Sequence, residues 1–293
     1  MFLYMLTGFG LYRWGKLTKK GSRGIASLLV NLVIPVVIVK SFCVERSAQR
    51  LAALGVSALV TVVVLGLSIL IARLIYKKAP IDNFAAAFSN AGFIGIPLVT
   101  AVLGSEAVLY LVPFVVMLNL GQWTYGVAIM TGDAGKLKPR ALLLNAFVIA
   151  TAIGLVLLLS GLGMRLPTVL SSTINGIAAL NSPLAMIVLG VYLAQAELKS
   201  MVKNVRLYVV SVVRLLLIPA VCLLVLAVLP VDLEIRQTML IAAAAPVGAN
   251  VAIYAQLYDK DYPYACQTVV MSTLLSILSM PAVMAVAELL LHR

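Results

Sequence analysis

Ser89-Asn90-Ala91-Gly92-Phe93-Ile94-Gly95-Ile96-Pro97-Leu98 interrupts one long apolar segment, and Ala245-Pro246-Val247-Gly248-Ala249-Asn250 interrupts another. Proline inside a helix removes a hydrogen bond and clashes with the preceding turn, and nearby glycines lower the cost of unwinding. Both segments are therefore expected to be discontinuous helices, with Pro97 and Pro246 at the first position of each second half-helix. Non-helical backbone at membrane depth survives only where protein or a water-filled cavity surrounds it. A packing kink accounts for a single break as well as a ligand site does; two matched breaks, each carrying an Asn, favour the site.

The surrounding sequence places these breaks in a bilayer. Of 293 residues, 63% are hydrophobic and 11% charged, with a mean hydropathy of +1.11, whereas a water-soluble domain keeps about a quarter of its residues charged. Ten apolar spans are expected, at 2–12, 25–42, 51–75, 83–104, 107–131, 141–162, 167–195, 206–229, 236–258 and 263–291. The first is about a dozen residues, short for a bilayer that takes about 20. The connections leave no room for a soluble catalytic domain.

Basic residues set the orientation. Fifteen of the 22 Lys and Arg, including Arg13, Lys19, Arg23, Lys77, Lys138, Lys199 and Lys260, fall on one side of this scheme. Five fall on the other: Arg46, Arg50, Arg165, Arg236 and Arg293. Cytoplasmic loops retain Lys and Arg, so both termini are expected outside the cytoplasm of a multi-pass cell-membrane protein. The net charge of +12 reports this topology rather than nucleic-acid binding, because the bases sit in short loops and not on one face.

The loop 132–140 divides the chain into two halves, 1–131 and 141–293. Five spans in each half force the second half to be inverted relative to the first. Pro35 and Pro183 are 148 residues apart, and Pro97 and Pro246 are 149 apart, as duplication would leave them.

The candidate binding residues gather at the breaks: Asn90, Gly92, Gly95 and Pro97 in one half, Pro246, Gly248 and Asn250 in the other. Free amides and the positive end of a helix dipole at a break favour an anion. Asn90 and Asn250 either cap freed backbone groups or contact a ligand. Asn119, Gln122 and Tyr125, three residues apart, share a face expected to look inward; Asn181 and Ser182, beside Pro183, are a weaker set. Arg214 and Lys40 lie within spans and are candidate charge contacts. Cys43, Cys222 and Cys266 read as free thiols.

Other chemistry finds no support in the sequence. His292 is the single histidine, so no histidine metal cluster or triad can be assembled, and no GxxxxGK[ST] loop is present. No enzyme activity, cofactor or metal is expected. The acidic residues, among them Glu45, Glu106, Glu197 and Glu288, fall at span ends or in loops, so no carboxylate proton relay is expected.

The stretch NAGFIGIPL at 90–98 resembles the auxin efflux carrier family, which includes the plant PIN carriers and bacterial malonate-type carriers. The resemblance extends to LVNLVIP at 29–35, to Pro246 and Asn250 followed by Ala255 and Tyr258, and to Ser272-Thr273-Leu274-Leu275-Ser276 before Pro281. It implies an all-α, bile-acid-transporter-like fold of ten helices in two inverted five-helix repeats, with crossed broken helices and elevator-type alternating access. By alignment on Trp123, Asn119 falls where plant members have a substrate-facing Gln. The long cytoplasmic loop of the plant carriers is missing here, so auxin specificity does not transfer.

Together these readings give an expectation of a secondary transporter for a small organic anion, a carboxylate, with a homodimer possible. The alternatives are a sodium-coupled symporter of such an anion, or a non-transporting receptor or channel.

Overall fold

The computed structural model describes residues 2–133, 145–195 and 198–291, which form helices joined by short turns and loops, with one isolated antiparallel bridge and no strand among the described residues. The helices are α1 (Phe2–Arg13), α2 (Lys19–Ser41), α3 (Ala48–Ile75), α4 (Pro80–Ala87), α5 (Ala91–Val102) and α6 (Val108–Thr131). They continue as α7 (Ala146–Ser160), α8 (Thr168–Gln195), α9 (Leu198–Lys203), α10 (Val205–Val228), α11 (Leu233–Ala244), α12 (Asn250–Leu257) and α13 (Tyr262–Leu291). Lys136, Lys138, Arg140, Glu197, His292, Arg293 and most of the linker 132–140 lie outside the described residues.

Six of these helices, α2, α3, α6, α8, α10 and α13, are long and apolar enough to cross a membrane by length and composition. The remaining four expected spans fall on shorter pieces. Two are single helices of 12 and 15 residues, α1 and α7, and two are the pairs α4 with α5 and α11 with α12, where the chain breaks as the sequence predicts.

Helix starts follow local chemistry. Thr18, Ser47, Asn145 and Asn204 each accept a backbone N–H with the side-chain oxygen ahead of α2, α3, α7 and α10, satisfying donors that an N-terminus leaves free. The prolines leave a repeated signature. Five-residue π-turns at Leu29–Val33, Ala91–Gly95 and Val213–Leu217 each run directly into an Ile-Pro pair, at Pro35, Pro97 and Pro219. A widened turn relieves the clash between a proline ring and the carbonyl one turn back without ending the helix.

This corrects the expected role of two prolines. Pro97 does not open the second half-helix, because α5 has already started six residues earlier at Ala91. Pro246 precedes α12, within the non-helical stretch.

α1 is short yet tightly held. It crosses α8 so closely that a Cβ on Gly8 would lie 2.2 Å from the Ile187 carbonyl oxygen, and one on Gly190 would lie 2.0 Å from that of Met5. Small residues allow such approach between membrane helices, where packing rather than water exclusion drives association. α2 packs on α7 and α8, while α3 packs on α4, α6, α10 and α11. The residues flanking the two breaks are fully buried, Phe84, Phe88, Val247 and Ala242 to Ala245 among them.

Candidate functional site

The two breaks cross each other. α4 ends at Ala87, and Phe88 is extended; the Asn90 N–H donates to the Pro246 carbonyl at 2.8 Å and the Gly248 N–H to the Phe88 carbonyl at 3.0 Å. Ser89 and Val247 thereby form an antiparallel bridge, and the Val247 N–H donates to the Ser272 hydroxyl of α13 at 3.1 Å. Backbone groups that the breaks release are thus paired inside protein, as a bilayer demands. A Cβ on Gly248 would sit 3.0 Å from the Ser89 carbonyl oxygen and 3.2 Å from that of Phe88, so this approach needs glycine.

Arg214 of α10 closes the other side of the crossing. It is 1% exposed, and its guanidinium donates to the carbonyls of Ala86 at 2.9 Å, Ala245 at 3.1 Å and Ala243. Those carbonyls belong to the C-terminal ends of α4 and α11, where helix dipoles concentrate negative charge and where acceptors lack partners. One cation therefore serves both C-terminal ends. It lines neither of the large cavities described next, so the charge expected to meet a ligand is committed to backbone.

The N-terminal ends of α5 and α12 have no side-chain cap among the described residues. Phe93, in the first turn of α5, and Ala249 and Asn250, at the start of α12, border one cavity of about 450 Å³. Asn119 and Trp123 of α6 line it too, with Lys19 and Arg23 of α2. Its walls mix aromatic and aliphatic side chains, and its polar groups include amides, hydroxyls and two cations. At its mouth Arg23 donates to the Gln256 side-chain oxygen at 3.2 Å, and the Lys19 ammonium stands 5.1 Å from the Tyr262 ring centre. Such a cavity can hold a small anion with an apolar body: N-terminal helix ends and cations for the charge, rings for the remainder.

A second cavity, of about 640 Å³, lies at the opposite end of α2 and is lined by Lys40, Ser41, Pro97, Thr100, Asn175 and Asn181 among others. Arg23 and Lys40 are seventeen residues apart on α2, about 25 Å of helix rise.

The sequence-selected residues divide accordingly. Asn250 and Gln122 are joined, the Asn250 amide donating to the Gln122 side-chain oxygen at 2.6 Å, and Asn119 and Asn250 share the 450 Å³ cavity. Asn90 is 5% exposed and its amide nitrogen has no hydrogen-bond partner among the described residues; Gly92 and Gly95 lie in the π-turn that follows it. Pro97 and Lys40 border the 640 Å³ cavity instead. Tyr125 turns to α4, donating to the Asn83 side-chain oxygen at 3.0 Å.

One acidic residue corrects the expectation that all acids are peripheral. Asp82, in the first turn of α4, is 2% exposed. It accepts from Arg206 of α10 at 2.7 Å and from the Tyr264 hydroxyl of α13 at 2.7 Å. It lines neither cavity. Its position one residue before an apolar run made it look like a loop residue; Pro80, a favoured residue in the first turn, was the signal that α4 begins earlier. Sequence reasoning also passed over Phe93, Tyr254 and the Lys19–Arg23 pair as cavity wall.

Comparison with known proteins identifies the family. The model of the family described as "Membrane transport protein" (Mem_trans) matches residues 1–284. A protein of Rhizobium meliloti (strain 1021) named "Putative malonate transporter" is 26% identical over 242 residues, covering 79% of this chain and 74% of that one. An "Uncharacterized transporter" of Methanothermobacter thermautotrophicus is 28% identical over 294 residues, covering 94% and 93% respectively. A family match over nearly the whole length, on a helical chain with crossed broken helices, places the protein: it belongs to the membrane transport protein family, as the resemblance to auxin efflux carriers implied.

Proposed function

We propose that the protein is a secondary transporter of a small organic anion, a carboxylate, which binds at the crossing of the broken helices and passes between the two cavities by alternating access. The observation that carries this reading is the relation between the cavities. Arg23, Ala26, Ser27, Val30 and Asn31 of α2 line the 450 Å³ cavity, and a shift of 148 places takes them to Ser171, Ile174, Asn175, Ala178 and Ala179 of α8, all of which line the 640 Å³ cavity. A shift of 149 places takes Ala249 and Asn250 back to Thr100 and Ala101, which also line it. Equivalent faces of two halves that open toward opposite ends of α2 are what two inverted five-helix repeats, 1–131 and 141–293, would build.

The polar ties favour an elevator-type motion. Arg214, the Ser89–Val247 bridge, Ser272 and the Asp82–Arg206–Tyr264 cluster bind α4, α5, α10, α11, α12 and α13 into one unit. α1, α2, α7 and α8 pack on one another beside it. Movement of the first unit along the second carries the crossing from one cavity to the other. The basic end of α2, with Lys19 and Arg23, faces the cytoplasm in this reading, and both termini lie outside.

The Rhizobium relative's name makes malonate the first compound to try. In proteoliposomes containing the purified protein, labelled malonate and a panel of small carboxylates are presented, and at least one should enter saturably and be displaced by unlabelled anion. Flux that rises linearly with concentration points to a channel, and binding without flux points to a receptor; either result removes the carrier reading.

A further inference from the structure

The crossing presents its helix ends in two sets. The N-terminal ends of α5 and α12 border the 450 Å³ cavity through Phe93, Ala249 and Asn250. The C-terminal ends of α4 and α11 supply the carbonyls of Ala86, Ala243 and Ala245, and all three converge on the Arg214 guanidinium. Carbonyls of half-helix C-terminal ends at a crossing of broken helices are what ion-coupled carriers use to hold the cation that travels with the substrate. Here a side chain fills that place, delivered by the π-turn Val213–Leu217 of α10. Arg214 is 1% exposed, and no ion pair among the described residues includes it. The buried carboxylate, Asp82, is committed to Arg206 and Tyr264 instead. A guanidinium is costly to desolvate and keeps its proton, so a buried one without a carboxylate partner is retained for its hold on those carbonyls.

We infer that Arg214 is a tethered cation standing in the position of a coupling ion, so that the protein moves its anion without a co-transported alkali cation. The guanidinium satisfies the acceptors that Na⁺ would use, and it repels a second cation at close range in a medium of low dielectric. Being covalently attached, it makes both journeys with the mobile unit, so occupancy of the position is not linked to any ion gradient. Taking the side chain away uncovers the position: it leaves buried carbonyls without a partner and a space into which a small monovalent cation fits.

The test has two arms. In proteoliposomes holding the unaltered protein, labelled malonate, or whichever acid of the panel above is carried, should cross at the same initial rate when N-methyl-D-glucamine replaces Na⁺ on both sides. In the second arm the unfolding temperatures of the unaltered protein and of Arg214→Ala are compared in detergent with Na⁺, millimolar methylguanidinium or N-methyl-D-glucamine as the cation. Arg214→Ala should unfold about 2–4 °C higher with Na⁺ or methylguanidinium, the shift given by a ligand a few-fold above its dissociation constant. The unaltered protein should show no such difference. If Arg214→Ala does not fold, Arg214→Gln, whose neutral amide keeps part of the volume, takes its place. Flux that falls when Na⁺ is withdrawn, a variant indifferent to both cations, or the same shift in the unaltered protein would each overturn the inference. The flux arm rests on the carrier reading and the unfolding arm does not. A cation-responsive variant without flux of any acid removes the carrier alone, and Na⁺-independent flux with a cation-indifferent variant removes the tethered cation alone.

Discussion

The two breaks share a sequence pattern of Asn, Gly and Pro yet solve it differently. After Ala87 the chain leaves the helix for three residues and re-enters it through a π-turn, so that Pro97 rides inside α5. After Ala244 it stays out of the helix for five residues, with Pro246 in the gap, and α12 begins only at Asn250. The polar side chains part company with this. Asn250 is bonded to Gln122 and borders the 450 Å³ cavity, whereas Asn90 is buried with its amide nitrogen unpartnered. What the two breaks share is Arg214, which holds the end of the helix that precedes each one. Symmetric placement of a motif therefore does not carry symmetric roles; the common element is a single residue from a third helix.

The largest effect is expected where the comparison has one shared support. Arg214→Met leaves three buried carbonyls without a donor, at about 1–3 kcal/mol each, and the relief of no longer burying a cation offsets part of that. A net loss on the order of 3 kcal/mol should appear as a marked fall in thermal unfolding temperature in detergent, with Arg214→Lys between the two. An unchanged unfolding temperature would mean the two helix ends need no common cation.

Next comes the difference between the asparagines. Asn250→Ala removes an amide that lines the 450 Å³ cavity and its bond to Gln122; under the proposed reading a bond to a charged ligand goes with it, worth about 1.5–3 kcal/mol, or roughly 10- to 150-fold in affinity. Asn90→Ala gives up a nitrogen without a partner, so its effect on affinity should be the smaller. Binding isotherms for the transported carboxylate decide this, and equal losses would restore symmetry between the breaks.

Gly248 sharpens the contact between them. Gly248→Val pushes a Cβ against the carbonyls of Ser89 and Phe88, and overpacking of this kind costs typically 1–3 kcal/mol. The expected result is a lower unfolding temperature together with reduced flux, while Gly66→Val, in open space on α3, leaves both unchanged.

Much of this was legible in the sequence because membrane spans announce themselves through composition, and breaks through Pro and Gly. The positions of the two interruptions, and the shared inward face of Asn119 and Gln122, follow from spacing along single helices. The rest depends on contacts between helices distant in sequence, to which periodicity is blind. Arg214 read as a ligand contact because nothing local shows that the ends of α4 and α11 lie against it. Asp82 read as peripheral because its partners, Arg206 and Tyr264, are 124 and 182 residues away. Pro97 and Pro246 looked equivalent because the π-turn that absorbs one of them leaves no mark in composition.

The central claim is that one crossing is served alternately by two cavities. Replacing Cys43, Cys222 and Cys266 and then introducing Ser27→Cys or Asn175→Cys, a pair 148 residues apart on the two faces, places one thiol in each cavity. Membrane-impermeant thiol reagent is applied from each side of sealed vesicles, with and without the transported carboxylate. The account predicts that Ser27→Cys reacts from the side bearing Lys19 and Arg23 and Asn175→Cys from the other, and that substrate shifts the two rates in opposite directions. Rates that rise or fall together, or a thiol that reacts from both sides at once, would contradict it.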